Sequence, residues 1–159
     1  MMQDYLWDKQ KDLVQGDVIK MDLHCHDKNS DVPDELWGRI LRLSESWLET
    51  EDLYTQLSEE KVDLVTITNH NNARSCWEML EKGEELLVGA EFTCCLPEEE
   101  HYFHVLAYGF NQRDELKLNE YRGNIYRFLG YTCEHNIPTV LAHPFFFYNP
   151  KKLCRAETF

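Results

Sequence analysis

The chain of 159 residues lacks the features of a membrane protein, a secreted protein or a general nucleic-acid binder. No apolar run approaches the roughly 18 residues that a membrane helix needs. The opening stretch, MMQDYLWDKQKD, is polar and mixed in charge, whereas a secretory signal places a basic segment before an apolar one. Basic residues are few, with 16 Lys and Arg against 29 Asp and Glu, so phosphates would be repelled and nonspecific nucleic-acid binding is not expected.

The cysteines lack the spacing of zinc ribbons and of dithiol redox motifs. The chain has six, and none of them form a CxxC pair. We interpret them as reduced thiols, mostly small buried side chains, in a cytoplasmic protein. Hydrophobic residues make up 43% of the chain, which is enough for the core of one domain.

Repeats and low-complexity linkers are also missing, and the chain instead alternates strand and helix patterns. After a polar lead-in over 1–17, strands are predicted at 18–24, 62–68, 86–95, 102–110 and 138–142. Helices are predicted at 30–43, from Thr50, at 73–80 and at 114–134. The stretch VDLVTIT is nearly all apolar or β-branched, as in a parallel strand buried on both faces. The alternation favours an α/β fold with parallel strands.

Two histidines close the first predicted strand, in the stretch KMDLHCHDKNSD. Residues i and i+2 of a strand point to the same face, so His24 and His26 converge while Cys25 faces away. Taken alone, this pair is compatible with a metal site or with an ordinary polar strand end.

The other predicted strands carry a histidine or a glutamate as well. His70 follows the second strand, Glu91 and His104 lie within apolar strands, and His143 ends the fifth strand. Each has an ordinary interpretation, such as a loop histidine, but together they predict a site for more than one metal ion. Imidazole and carboxylate ligands suit Zn, Mn or Fe, and a glutamate can bridge two ions in a clamp that hydrolyses phosphate esters.

The motifs DLHCH…SD, ITNHN, GAE, HVLAYG and AHP, in this order, resemble the PHP (polymerase and histidinol phosphatase) domain family over residues 18–148. The resemblance implies a distorted (β/α)7 TIM-like barrel, placed here at 18–159, with two to three divalent metal ions at the carboxyl ends of the strands. It also implies phosphoesterase activity. The ITNHNNARSC stretch is similar to a subgroup in which the domain precedes a glycosyltransferase.

The resemblance implies a role for each metal-site residue. His24 and His26 match ligands of the first metal, and His104 and His143 match ligands of the second. Glu91 matches the carboxylate that bridges these two metals, and it is a catalytic candidate for that reason. His70, with Asp31, matches a third metal site and is the second catalytic candidate, because it would assist the leaving group.

Two departures from the family pattern affect these expectations. The family usually has Asp before the histidine of the second motif, whereas this chain has Asn69, which removes a negative charge beside His70. The late Asp-x-His of the family has no counterpart here. We therefore expect an incomplete barrel of about five strands, truncated at its carboxyl end, whose open edges favour self-association.

Other polar residues are weaker candidates. Arg74 is the best placed to bind a substrate phosphate. His101 follows three glutamates and is expected to be exposed, and His135 is expected to end a helix, where a cation suits the dipole. Asn71 and Asn72 are expected to cap the helix that follows them.

The leading hypothesis is a metal-dependent phosphoesterase, in which a hydroxide bridging two metals attacks a small phosphorylated substrate. The alternative is a catalytically incomplete metal-binding PHP module with a regulatory or structural role. A metal-dependent amidohydrolase is a third interpretation. Such an enzyme would require a metal-bridging lysine where this chain has Glu91.

Overall fold

The computed structural model describes residues 19–30, 46–99 and 101–144. The described elements are, in chain order, α1 (Thr50–Glu59), β1 (Thr66–Ile67), α2 (Arg74–Glu81), β2 (Leu87–Leu96), β3 (His101–Tyr108), α3 (Gln112–Tyr121), α4 (Ile125–Glu134) and β4 (Thr139–Ala142). The predicted lead-in, the predicted helix at 30–43 from Asp31 onward and the end of the predicted domain lie outside the described residues.

The strands form one mixed four-stranded sheet in the order β1-β2-β3-β4. β1 pairs with β2 in parallel, whereas β2–β3 and β3–β4 are antiparallel. The predicted α/β class is confirmed, but the prediction of parallel strands is wrong for the β2–β3 and β3–β4 pairs. The four residues between Leu96 and His101 allow only a hairpin, because a parallel connection needs a dozen residues or more. Within the described residues the sheet is open and does not close into a barrel.

Residues 19–30 run beside β1 without forming a regular strand. Met21 and Leu64 form a parallel bridge. The Asp63 N–H donates to the Lys20 carbonyl at 2.8 Å, and the Thr68 N–H donates to the Cys25 carbonyl at 2.8 Å. The first predicted strand is therefore present as an extended segment, and its direction is parallel, as expected.

The main core lies between the helices and one face of the sheet. Phe92 and Cys94 of β2 are fully buried there, together with Leu118 of α3 and Phe128 of α4. The ring centroids of Phe92 and Phe128 are 5.3 Å apart. Since strand residues alternate between faces, the neighbouring Glu91 points to the opposite side, away from these helices.

The described helices match the sequence prediction except in one region. α1 buries Leu53 and Leu57, and α2 ends just before Gly83, as predicted. The single helix predicted at 114–134 is instead two helices, because the Asn124 side chain accepts hydrogen bonds from the Tyr126 and Arg127 N–H groups and starts α4. No helix in the described parts of the chain has both the length and the apolar character to cross a bilayer.

Candidate metal centre

Strand register brings five histidines to one glutamate. His70 stands opposite Glu91 in a parallel bridge that extends the register of β1 on β2. His104 is paired with Ala142 across β3 and β4, so His143 follows at the same level of the sheet. His24 and His26 come from the segment beside β1. The predicted ligands are therefore brought together from five separate segments, with the exception of Asp31, which lies outside the described residues.

The carboxylate of Glu91 is fully buried and is surrounded by imidazole nitrogens. His104 Nδ1 lies 2.8 Å and His143 Nε2 lies 2.9 Å from Oε1. His24 Nε2 lies 2.9 Å, His26 Nε2 3.1 Å and His70 Nδ1 3.6 Å from Oε2. Five nitrogens thus converge on one side chain, and such a group of imidazoles and a carboxylate could hold a metal ion.

The histidines also control the charge of this carboxylate. Burial raises the pKa of the Glu91 carboxyl, but hydrogen bonds with His104, His24 and His26 outweigh burial and hold that pKa well below its usual range. Glu91 is therefore ionised at neutral pH, and an ionised carboxylate is the form that binds cations.

The ligand atoms form two compact groups that share Glu91. The outer triad is His24, Glu91 and His143, and the inner triad is His26, His70 and Glu91. In each triad all ligand atoms lie within 4.8 Å of one another. Ligand atoms around a tetrahedral zinc ion are about 3.4 Å apart, given bonds of about 2.1 Å, so small side-chain shifts bring either triad to that spacing. The residues present thus fit metal binding.

The two triads differ in their exposure to solvent. The His24 and His143 side chains of the outer triad are 33% and 39% exposed. The His70 side chain of the inner triad is only 6% exposed. The outer triad is consequently the side from which a small molecule could reach the centre.

The two carboxylate oxygens divide the histidines differently from the triads. Oε2 faces His24, His26 and His70, and Oε1 faces His104 and His143. His24 and His26, the predicted ligands of one metal, thus face one oxygen and His104 and His143, the predicted ligands of another, face the other, but His70, predicted for a third metal, lies with the first pair. Both divisions leave Glu91 as the common ligand.

Cys25 points away from the centre, as strand alternation predicts. Its thiol donates to the Thr66 carbonyl at 3.0 Å. Burial first, and then the charges of neighbouring acidic groups, raise the pKa of the Cys25 thiol to about 12. The thiolate needed for metal binding is therefore disfavoured, and the predicted ligand set of His24 and His26 without Cys25 agrees with the structure.

The asparagines around His70 have different roles. The Asn72 side chain accepts from the Arg74 N–H at the start of α2, close to its predicted capping role. Asn71 does not cap that helix: its N–H donates to the Glu91 carbonyl at 2.8 Å, and its Oδ1 accepts from the Thr93 N–H at 2.9 Å. Asn71 therefore ties the chain after His70 to β2.

The remaining candidates have mixed outcomes. Arg74 is an exposed residue at the start of α2, and its binding of a substrate phosphate stays a prediction. His135 is the cap residue at the end of α4, as predicted. The expectation that His101 is exposed is wrong, because it is only 6% exposed. His101 lies three residues before His104 and so faces the opposite side of β3.

Sequence reasoning did not assign a role to Asp27, which the structure buries completely. Asp27 directly follows His26, and strand alternation could have shown that it faces the interior with Cys25 instead of the metal centre. Its carboxylate accepts hydrogen bonds from Asn69, Asn29 and Thr50.

Comparison of the chain with models of protein families and with curated proteins found no match. The resemblance to the PHP family accordingly stays a prediction, and the interpretation of the centre depends on the residues described above.

Proposed function

We propose that this protein is a PHP-type metal-dependent phosphoesterase that hydrolyses a small phosphate ester. The observation that carries the proposal is the convergence of five imidazole nitrogens within 3.6 Å of the buried Glu91 carboxylate. Zn, Mn or Fe ions bound by such a set would activate water and neutralise charge on phosphoryl oxygens.

The fold supports the family assignment through its parallel part. The segment 19–30, β1 and β2 lie side by side in parallel and deliver His24, His26, His70 and Glu91 in the order of the family motifs. We assign these segments to the first strands of a PHP-type barrel. β3 is a departure from a fully parallel barrel, since it returns antiparallel to β2.

Each group of side chains contributes differently to this function. The Glu91 carboxylate is the ligand common to both triads. His70 and His104, which are buried, hold the closed side of the centre and exclude water from it. His24 and His143 hold the open side, where a phosphate ester could approach.

Phosphomonoester hydrolysis by the purified chain with added Mn²⁺ tests the proposal. Removal of the shared ligand in Glu91→Ala should lower turnover by several orders of magnitude, as expected when a two-metal clamp is lost. His135→Ala is the matched control, because it removes an exposed imidazole at the end of α4 and should leave the rate unchanged.

The same experiment separates the enzyme from the metal-binding module. Wild-type protein that binds metal stoichiometrically but hydrolyses no faster than Glu91→Ala would show that the chain is an incomplete regulatory or structural module. Wild-type protein that binds no metal would overturn both interpretations. Thermal unfolding of each variant without metal identifies any loss that is due to misfolding.

A further inference from the structure

A network of buried polar side chains lies behind the inner triad. Asp27, Asn69, Thr50 and Ser75 are each at most 2% exposed. The Asp27 carboxylate accepts from the Asn69 side-chain amide at 2.7 Å, from the Asn29 N–H at 2.8 Å and from the Thr50 hydroxyl at 2.7 Å. Within the described residues, Asp27 forms no ion pair, so these three donors replace a cation.

The amino termini of α1 and α2 contribute two side chains to this network. Thr50 is the first residue of α1, and Ser75 is the second residue of α2. The Ser75 hydroxyl accepts from the side-chain amides of Asn69 at 3.0 Å and Asn29 at 3.1 Å. The partial positive charge at helix amino termini favours a nearby carboxylate, so the site of Asp27 is suited to an anion.

Asp27 and Asn69 make a reciprocal pair. The Asp27 N–H donates to Asn69 Oδ1 at 2.9 Å, and Asn69 Nδ2 donates to Asp27 Oδ1 at 2.7 Å. Asp27 directly follows His26, and Asn69 directly precedes His70. Two short hydrogen bonds therefore join the backbone next to one imidazole of the inner triad to the backbone next to the other.

Ser30 adds a second connection between the same two segments. Its hydroxyl oxygen accepts from the His70 N–H at 3.0 Å and lies 3.3 Å from His26 Nδ1. The separation of His26 from His70, with ring centroids 4.8 Å apart, is thus set from behind the rings as well as by Glu91.

We infer that Asp27 and Asn69 are positioning residues that set the His26–His70 pair for metal binding, and that the acceptor oxygen of Asp27 is what requires an amide donor at position 69. This inference rests on the metal binding of the proposed function but not on hydrolysis. It accounts for the departure from the family pattern, because the negative charge missing at 69 stands at 27, in contact with it.

Single and double substitutions of Asp27 and Asn69 should have opposite effects on metal binding. Asn69→Asp places two carboxylates in contact inside the protein, and no side-chain donor remains between them. Asp27→Asn removes the charge but leaves an amide facing an amide. The exchange Asp27→Asn with Asn69→Asp restores one carboxylate and one amide in contact.

Calorimetric titration with Mn²⁺ and thermal unfolding in the presence of a chelator provide the two readouts. We expect about 100-fold weaker binding of an ion by Asn69→Asp and about 10-fold weaker binding by Asp27→Asn, the range found for residues that orient metal ligands. The exchange should bind at least 10-fold more tightly than Asn69→Asp, although it carries one more substitution. A merely structural role would lower the unfolding temperature and the metal affinity of each variant in parallel, whereas a positioning role lowers the affinity without a matching loss of stability.

Asn71→Asp is the matched control, since Asn71 flanks His70 on its other side and its side chain acts as an acceptor for the Thr93 N–H. It should weaken binding by no more than a few-fold, and addition of Asp27→Asn should not rescue it. If Asn69→Asp fails to fold, recovery of folding and binding in the exchange still supports the inference.

An exchange that binds no better than Asn69→Asp overturns the inference and leaves the proposed function intact. Wild-type protein that binds no metal overturns both. Normal metal binding by every variant overturns the inference about Asp27 and Asn69. An absence of hydrolysis by wild type overturns the proposed phosphoesterase activity, whatever the variants bind.

Discussion

The outer and inner triads use the same kinds of ligand on the same glutamate, but the protein supports them differently. In the inner triad His70 and Glu91 are buried and the His26 side chain is 19% exposed, and the two histidines are joined by Asn69, Asp27 and Ser30. The two histidine side chains of the outer triad are about one-third exposed. One of its ligands, His143, has φ of 29°, a left-handed conformation that is uncommon for histidine and disfavoured before Pro144.

Because of this difference, the two sides of the candidate metal centre are suited to different roles. Buried, hydrogen-bonded ligands are preorganised and lose little entropy on binding an ion. Exposed ligands can adjust, and they leave room for water or substrate next to the ion. The inner triad is therefore the structural half of the centre and the outer triad is the accessible half.

Gly89 is the position where one added methyl group should cause the largest loss of stability. It lies on β2, two residues before Glu91. A Cβ at this position would meet Thr66 Oγ1 at 2.5 Å and Thr68 Cγ2 at 3.1 Å. Gly89→Ala should lower the free energy of unfolding by about 3 kcal/mol, at the upper end for overpacking, because β1 must move away from β2. Urea unfolding of the metal-free protein measures this loss.

The same movement would separate His70 from Glu91, so metal binding at the inner triad should weaken as well. Gly130→Ala is the control, because nothing lies within 4 Å of the added methyl group and alanine favours the helix. A Gly89→Ala variant as stable as wild type would show that β1 and β2 are not held as closely as described.

Much of the candidate centre could be predicted from the sequence, because it depends on local rules. Alternation along an extended segment placed His24 and His26 together and turned Cys25 away. A glutamate in an apolar strand marked Glu91 as a residue with partners. The same rule was not applied to Asp27, and the contact between Asp27 and Asn69 joins residues 42 positions apart, which no local pattern reveals.

The fold was less predictable because pairing direction and helix boundaries depend on connections. The short link before His101 was a usable signal for a hairpin, but the strand and helix alternation outweighed it. The division of 114–134 into two helices depends on capping by Asn124, a single side chain within an otherwise helical pattern. The burial of His101 follows from the packing of the sheet on the helices, and the acidic residues before it pointed the other way.

Removal of one histidine from each triad compares the two sides directly. His70→Ala empties a buried position and should lower the free energy of unfolding without metal by about 2 kcal/mol. His143→Ala should lower it by less than about 1 kcal/mol, because water can replace an exposed imidazole. Chelator-treated proteins unfolded in urea give both values.

His135→Ala, at the exposed end of α4, is the reference for loss of an imidazole outside the centre. Equal losses for His70→Ala and His143→Ala would contradict the division into a structural and an accessible side. In metal titrations, both triad variants should bind more weakly than the reference.

The last prediction concerns the outer side, where one hydrogen bond holds the backbone before His24. The Tyr108 hydroxyl donates to the Leu23 carbonyl at 2.6 Å. Burial, followed by the charge of Glu91, raises the pKa of Tyr108 to about 12, so the hydroxyl keeps its proton at neutral pH. Tyr108→Phe should lower the free energy of unfolding by about 1 kcal/mol, the usual net value of one hydrogen bond. Tyr102→Phe is the control, because Tyr102 lies on the same strand and is 52% exposed, and it should change nothing measurable.

Because Leu23 precedes a ligand of the outer triad only, Tyr108→Phe should weaken one metal-binding step by a few-fold. A loss of affinity in both steps would mean that the two triads respond as one unit. The distinction between a preorganised inner triad and an accessible outer triad would then not hold.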